Sequence, residues 1–412
     1  MTDSAAAGED VVIIGAGPTG LAVARQLGQH GIDALILDRA DAPASAWRTR
    51  YDGFRLNTCG FWSHLPGQPI PVRHGRWPGR DEMIAYFDDY VRRQRLRLRL
   101  GVNVTRLERD GARWRLETDA ETCYASAVLV ATGNYHTPWV PPWDGSDGFT
   151  GDLLHSAEYR NAEAFTGCDV LVVGSGNSAT EIALQLSDGV ARRVAMSVRT
   201  PPHLVPRSAA GLPVDALSPV FRRLPVPVLD RAADLMQRLW FGDLSGYGLP
   251  RPGRGLYSAL LREHRIPTIG DRLVPRVKTG RVEIVAAVTG FDGPRVLLAD
   301  GSEVRPDVVI AATGYQRGLE PVVGHLGVLT GHGLPVSNGT RSAAAGLWFL
   351  GYAEPLIGPL RALRHQAGPV AREMAAYLTS ITAPAPEPRT QATPRRRRRG
   401  TPDRRATAPT RR

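Results

Sequence analysis

Twice in this sequence an apolar run ends in a glycine turn that opens a helix, once in VVIIGAGPTG at 11–20 and again in DVLVVGSGNSA at 169–179. The first copy sets Gly15, Gly17 and Gly20 at the spacing G-x-G-x-x-G, and the second sets Gly174, Gly176 and Ala179 at the same spacing. The first glycine permits a tight strand-to-helix turn and the second lets backbone approach a pyrophosphate. The third position must be small for the helix to pack on its strand. Pro18 suits a first helical turn because its ring presets φ, and Asn177 and Ser178 open the second helix. Unpaired N–H groups at each helix start, together with the helix dipole, hold phosphate charge. One such motif says little. Two predict an α/β chain with two Rossmann-like, dinucleotide-binding domains.

The strand after each turn separates the two nucleotides. The run 34–37 ends on Asp38, with Arg39 beside it, 23 residues past Gly15; the expected offset for a ribose-binding acid is about 20. A carboxylate there accepts ribose hydroxyls and repels a 2′-phosphate. The run 194–198 ends on Arg199 with no acid beside it, and a guanidinium suits the extra phosphate of NADP. The first site reads as FAD or NAD and the second as NADP. Each half also closes on the same tripeptide, in LVATGNY at 129–135 and VIAATGY at 309–315. The repeat marks an internal duplication and adds Thr132, Gly133, Thr313 and Gly314 to the candidate cofactor contacts.

The net charge of +11 suggests a nucleic-acid partner until it is localised. Ten arginines against Glu387 and Asp403 give residues 383–412 a net +8, which leaves +3 for residues 1–382. Such a Pro- and Arg-rich segment buries too little to fold, so a disordered basic tail is expected. Binding of nucleic acid through Arg395–Arg399 would require a reading module that the chain does not display. Cys59, Cys123 and Cys168 are isolated, with no C-x-x-C; this disfavours structural zinc and a redox-active disulfide and fits a reducing, cytoplasmic setting. No stretch approaches 18 uninterrupted apolar residues.

Along the chain, Ser45–Thr58 is an irregular polar and aromatic connection that carries Trp47 and Asn57. Asp81 is expected to cap a helix from Glu82 to Gln94 with Ile84, Phe87 and Val91 on one face. Leu96, Leu98 and Leu100 alternate with Arg97 and Arg99, which reads as the wet side of a small antiparallel sheet. A helix is expected from Gly358-Pro359 to about Leu378. The resulting organisation is a first domain over 1–155, an inserted second domain over 156–315 with an elaboration at 200–270, a return to the first domain over 316–382, and the tail.

The first fingerprint, F-x-G-x-x-x-H-x-x-x-Y at Phe149, Gly151, His155 and Tyr159, the second fingerprint GSGNSA, and ATGY at Ala312–Tyr315 follow one another in the order of a known family. The chain resembles the flavin-containing monooxygenases, in particular the compact group that includes the plant YUCCA enzymes. The resemblance implies a glutathione-reductase-like FAD/NAD(P) architecture with the NADP domain inserted in the FAD domain. It also implies FAD, NADPH and O2, a C4a-(hydro)peroxyflavin, and oxygenation of a small organic substrate at nitrogen or sulfur, or by oxidative decarboxylation of a 2-oxo acid. Gly15, Gly17, Gly20 and Asp38 would hold FAD, and Gly174, Gly176, Asn177, Ser178 and Arg199 would hold NADPH. Trp47 and Asn57 fall in the loop beside the flavin, Asn57 either near its reactive edge or as a plain turn residue. His155 and Tyr159 would be positioning residues in the interdomain linker. Asp38 stands where the family more often has glutamate. Tyr159-Arg160 differs from the Trp-led pair of Baeyer–Villiger enzymes, so that reading and an amine N-hydroxylase are alternatives; a non-catalytic redox sensor is a remote one.

Overall fold

The computed structural model describes residues 8–209, 211–217, 224–263, 265–353 and 358–382; the expected tail lies outside the described residues. Two parallel sheets organise the chain. In the first, strands run in the order Arg97–Leu100, Leu35–Asp38, Glu9–Ile14, Cys123–Val130. The second half of Cys123–Val130 pairs in parallel with Leu347–Phe349, while its first half pairs antiparallel with Arg113–Thr118, which in turn pairs antiparallel with Val104–Asp110. In the second sheet the order is Glu283–Val285, Arg193–Ser197, Asp169–Val173, Val308–Ala311, Asp152–His155, all parallel.

Both sheets are apolar on both faces because both faces are covered. Val11, Ile13, Ile36 and Leu129 join helices Pro18–Gly28, Arg80–Gln94 and Pro359–Thr382 in one cluster. Their strand neighbours Val12, Ile14, Leu35 and Val128 point the other way, into a cluster with Leu107, Trp114 and Phe349. The second sheet repeats the plan: Val170, Val172 and Met196 face helix Asn177–Ser187, while Leu171, Val173 and Val309 face Phe291, Val296 and Leu298 of an antiparallel meander.

Four backbone hydrogen bonds superimpose the halves residue by residue. Gly15 N–H donates to Leu37 O at 2.7 Å and Gly174 N–H to Ser197 O at 3.0 Å. Likewise Ala131 N–H reaches Ile14 O at 2.8 Å and Ala312 N–H reaches Val173 O at 2.9 Å. Leu37 therefore corresponds to Ser197, Asp38 to Val198 and Arg39 to Arg199. The glycine turns lie where the strand order reverses, the usual ligand crevice of an open parallel sheet.

Four local expectations need correction. The Arg97–Leu100 strand pairs in parallel with Leu35–Asp38 and is the edge of the first sheet, not part of an antiparallel one. Alternation reports one wet face, and the edge of a parallel sheet has one too. The third helix starts at Arg80 with Gly79 as N-cap, and Asp81 accepts from Arg80 Nε at 2.8 Å instead of capping. Phe87 of the expected face is buried and Val91 packs partly buried beside it, but the other buried residues are Met83, Tyr86 and Tyr90, with Ile84 only half-buried. His155 and Tyr159 are not linker residues: Asp152–His155 is a strand of the second sheet, and Tyr159 is 1% exposed in that sheet's core. By this pairing the second unit begins before Asp152, not after His155.

Candidate cofactor clefts and the lobe junction

The first glycine turn opens on a cleft lined by Gly15, Gly17, Pro18, Asp38, Arg39, Trp47 and Thr132, with Ala44, Asn103, His136 and Leu319 among its other walls. Its open volume is about 830 Å³, counting the solvent at its mouth. The glycines divide their duties as the spacing demands. Gly15 has φ +112, and a Cβ there would lie 2.6 Å from the Ala131 carbonyl oxygen; one on Gly20 would overlap the Gly15 carbonyl. A Cβ on Gly17 would meet no protein atom within 4 Å, because it would project into the cleft. Asp38 stands at the turn, accepting from Ala16 N–H at 2.6 Å and Ala40 N–H at 2.9 Å. Trp47 packs edge-on against Phe54 and tilted on Phe87, which fixes it as a cleft wall. These features fit FAD: an acceptor for ribose hydroxyls, a bare backbone for pyrophosphate, and apolar walls.

Thr132 is held from behind. Its N–H donates to Tyr352 Oη at 3.2 Å and its hydroxyl lies 2.9 Å from the same oxygen. Burial pushes the Tyr352 phenol up to about 12, so it stays protonated. Tyr352→Phe leaves the Thr132 N–H without that acceptor, at a cost of about 1–3 kcal/mol. Thermal unfolding is therefore expected several degrees lower, and an unchanged melting temperature would show that the contact contributes nothing.

The second turn has the same form. Gly174 has φ +136 with a virtual Cβ 2.5 Å from the Ala312 carbonyl oxygen, while one on Gly176 meets nothing. Ser178 is half-buried on the first helical turn and Arg199 is exposed. Asn177 is otherwise engaged: its Nδ2 donates to Pro267 O at 3.1 Å and its Oδ1 accepts from Ile269 N–H at 3.0 Å. It ties residues 267–269 to the turn, so its side chain serves the wall of the site. Thr313 donates to Trp139 O, and the exposed Gly314 has φ +92. His155 sets that turn. Its Nδ1 accepts from Ala157 N–H at 3.0 Å, so Nε2 is the donor to Gly314 O at 2.9 Å. Burial lowers the imidazole's proton affinity and keeps the ring neutral.

Between the lobes, residues 204–209 and 211–217 of the second unit dock on the loop that carries Asn57. Arg207 Nη2 donates to Asn57 Oδ1 at 2.9 Å and approaches Glu181 Oε1 at 3.5 Å. Asp215 accepts from Cys59 N–H at 2.9 Å and from Trp62 Nε1 at 2.6 Å, and its carbonyl accepts from Arg361 Nη1 at 3.0 Å. Arg361 belongs to the last helix, whose start abuts the same loop: a Cβ on Gly358 would lie 2.9 Å from Thr58 Cγ2. The partial positive end of that helix therefore faces Asn57-Thr58. Tyr51, buried here with Glu181 nearby, has its phenol pushed up and remains neutral. None of Arg207, Asp215 or Ala44 was foreseen from the sequence.

A family profile described as pyridine nucleotide-disulphide oxidoreductase matches residues 12–210. The chain is 35% identical over 313 residues to indole-3-pyruvate monooxygenase YUCCA1 of Oryza sativa subsp. japonica, covering 75% of this chain and 77% of that protein. It is 32% identical over 359 residues to the probable indole-3-pyruvate monooxygenase YUCCA7 of Arabidopsis thaliana, covering 83% and 82%. The chain belongs to the flavin-containing monooxygenases. A solved flavin-containing monooxygenase from Stenotrophomonas maltophilia matches with a TM-score of 0.68 at 26% identity, covering 89% of this chain and 98% of that one. At 17% identity, a cyclohexanone monooxygenase (TM-score 0.70) and a bacillithiol disulfide reductase from Staphylococcus aureus (TM-score 0.62) share the fold. The protein is thus a flavin-dependent monooxygenase, an oxidoreductase that uses FAD and NADP(H) on a small substrate. All three cysteines are free. Among the described residues no group of three or more His, Cys, Asp or Glu could hold a metal, and no helix is long and apolar enough to cross a membrane.

Proposed function

We propose that the enzyme carries FAD in the first cleft and NADPH at the second glycine turn, and oxygenates a small 2-oxo acid with loss of CO2. The substrate class rests on the likeness, over three quarters of the chain, to proteins named for indole-3-pyruvate, itself a 2-oxo acid. Gly15, Gly17, Pro18, Gly20, Asp38, Arg39, Trp47, Thr132 and Gly133 would contact FAD. Gly174, Gly176, Ser178, Arg199, Thr313 and Gly314 would contact NADPH, with Asn177 holding the wall beside it. Asn57, between the last helix and the second lobe, would lie at the flavin's reactive edge. When bound, FAD supplies electron transfer and oxygen activation, and the protein supplies orientation and exclusion of water.

The reaction balances with one O2 and one NADPH plus a proton per 2-oxo acid: one oxygen atom ends in the shortened acid, the other in water, and CO2 leaves. Among the described residues we identify no acid–base dyad for a separate hydrolytic or transfer step, and the orientation of two bound cofactors is what the turns and walls serve. Unpaired cysteines suit a reducing compartment, and we place the enzyme in the cytoplasm. Purified enzyme with NADPH should oxidise an arylpyruvate with stoichiometric CO2 release, faster than a ketone, a sulfide or a tertiary amine. Preference for the sulfide or amine would replace this reading with heteroatom oxygenation, and lactone or ester formation from the ketone would replace it with Baeyer–Villiger chemistry.

A further inference from the structure

Two N–H groups at the lobe junction reach no acceptor. Arg207 Nε and Trp77 Nε1 are both buried and both without a hydrogen-bond partner. They belong to one cluster, with the Arg207 guanidinium 5.8 Å from the Trp77 ring centre. Guanidinium and indole only donate, so neither can satisfy the other. Leaving a buried donor unmade costs free energy, and two in one place mark where an acceptor belongs.

The surroundings select the charge of that acceptor. Arg207 brings one positive charge, and Arg76 stands over the same indole at 5.5 Å. Against them, Glu181 approaches Arg207 only at 3.5 Å, and Asp271 is spent on the Arg207 backbone N–H at 2.6 Å. Asn57 presents its oxygen to Arg207, since a guanidinium cannot accept, and so turns its amide N–H groups away from it. The result is a donor-lined corner beside the loop that would lie at the flavin, in which Arg207 is ion-paired with Glu181 but keeps a donor free. A planar anionic oxygen pair suits such a fork better than a neutral carbonyl.

We propose that Arg207 and Trp77 bind the carboxylate of the substrate; this rests on the 2-oxo acid reading above. The carboxylate anchored there places the adjoining oxo carbon next to Asn57 and its loop. The same oxygen chemistry could come from a coenzyme phosphate, because Glu181 lies on the helix that begins at Asn177, and the experiment separates the two sources.

Calorimetric titration of the FAD-loaded enzyme, without turnover, would use phenylpyruvate, the neutral ketone phenylacetone, and NADPH. Arg207→Met is expected to weaken phenylpyruvate about tenfold or more, the loss typical of a charge-assisted hydrogen bond. Trp77→Phe should weaken it by a smaller factor and Arg207→Lys by an intermediate one. Phenylacetone and NADPH affinities should stay as in wild type. Equal phenylpyruvate affinity in wild type and Arg207→Met would overturn the assignment while leaving the 2-oxo acid reading intact. A loss confined to NADPH would assign the corner to a phosphate instead. Wild type that binds no 2-oxo acid would overturn both. Should Arg207→Met fail to retain flavin, the lysine and phenylalanine variants carry the comparison, and parallel weakening of phenylpyruvate and phenylacetone in them would refute the carboxylate role.

Discussion

Gly17→Val is expected to purify without flavin yet folded, and Gly176→Val to purify yellow yet unable to bind NADPH. The argument is steric and specific to the ligand. Gly17 is the N-cap of its helix at φ −75 and ψ 177, and Gly176 sits at φ −81 and ψ 179. Both are extended conformations that any residue adopts, so valine strains neither backbone. A Cβ at either position meets no protein atom within 4 Å. What the side chain occupies is the space through which a pyrophosphate would approach the helix start. Gly15→Val would be no such test, because that Cβ collides with the Ala131 carbonyl and φ is +112. The measurement is FAD per chain from visible absorbance, NADPH affinity by titration, and melting against wild type stripped of flavin, since bound cofactor itself stabilises by mass action. Full FAD content in Gly17→Val would show that the first cleft is misassigned. The reverse pattern between the two variants would exchange the two nucleotides.

How much of this was legible beforehand depends on whether backbone or tertiary contact sets the requirement. The glycine turns and both A-T-G closures could be read because a left-handed φ or a close carbonyl admits so few residues: Gly15 and Gly174 show both constraints. The fold followed from the two copies. The rest of the cleft did not, because its walls are supplied by short loops after several strands. Ala44 illustrates this: it holds φ +54 and donates its N–H to Ala16 O at 3.0 Å, and alanine carries no sign of either. Arg207 meets Asn57 across 150 residues of sequence. The described residues of 200–270 have no single period that could announce the contact, being short strands, turns and helices whose places are set by packing on the second sheet and on one another as well as by the first lobe. The edge strand at Arg97–Leu100 was misplaced for a related reason: a period of two gives the exposure of a strand, not its partner.

Arg199→Ala is expected to raise the KM for NADPH by roughly 10- to 150-fold and leave that for NADH nearly unchanged. The superposition of the halves sharpens the reason. Asp38 corresponds to Val198, not to Arg199, because Leu37 and Ser197 take the equivalent hydrogen bonds from Gly15 and Gly174. The second site has therefore replaced the repelling carboxylate with a neutral side chain, and the next residue supplies a guanidinium. Arg199 is exposed, and among the described residues no hydrogen bond or ion pair engages it, so its fork is available to a 2′-phosphate. One charge-assisted contact is worth about 1.5–3 kcal/mol, which gives the stated range. Val198→Asp tests the other half of the argument: restoring an acid at the Asp38 position should repel the phosphate and favour NADH. Stopped-flow flavin reduction with both coenzymes would measure each variant against wild type. Equal losses for NADPH and NADH in Arg199→Ala would make Arg199 structural, and a wild type that prefers NADH would refute the assignment of this site to NADP.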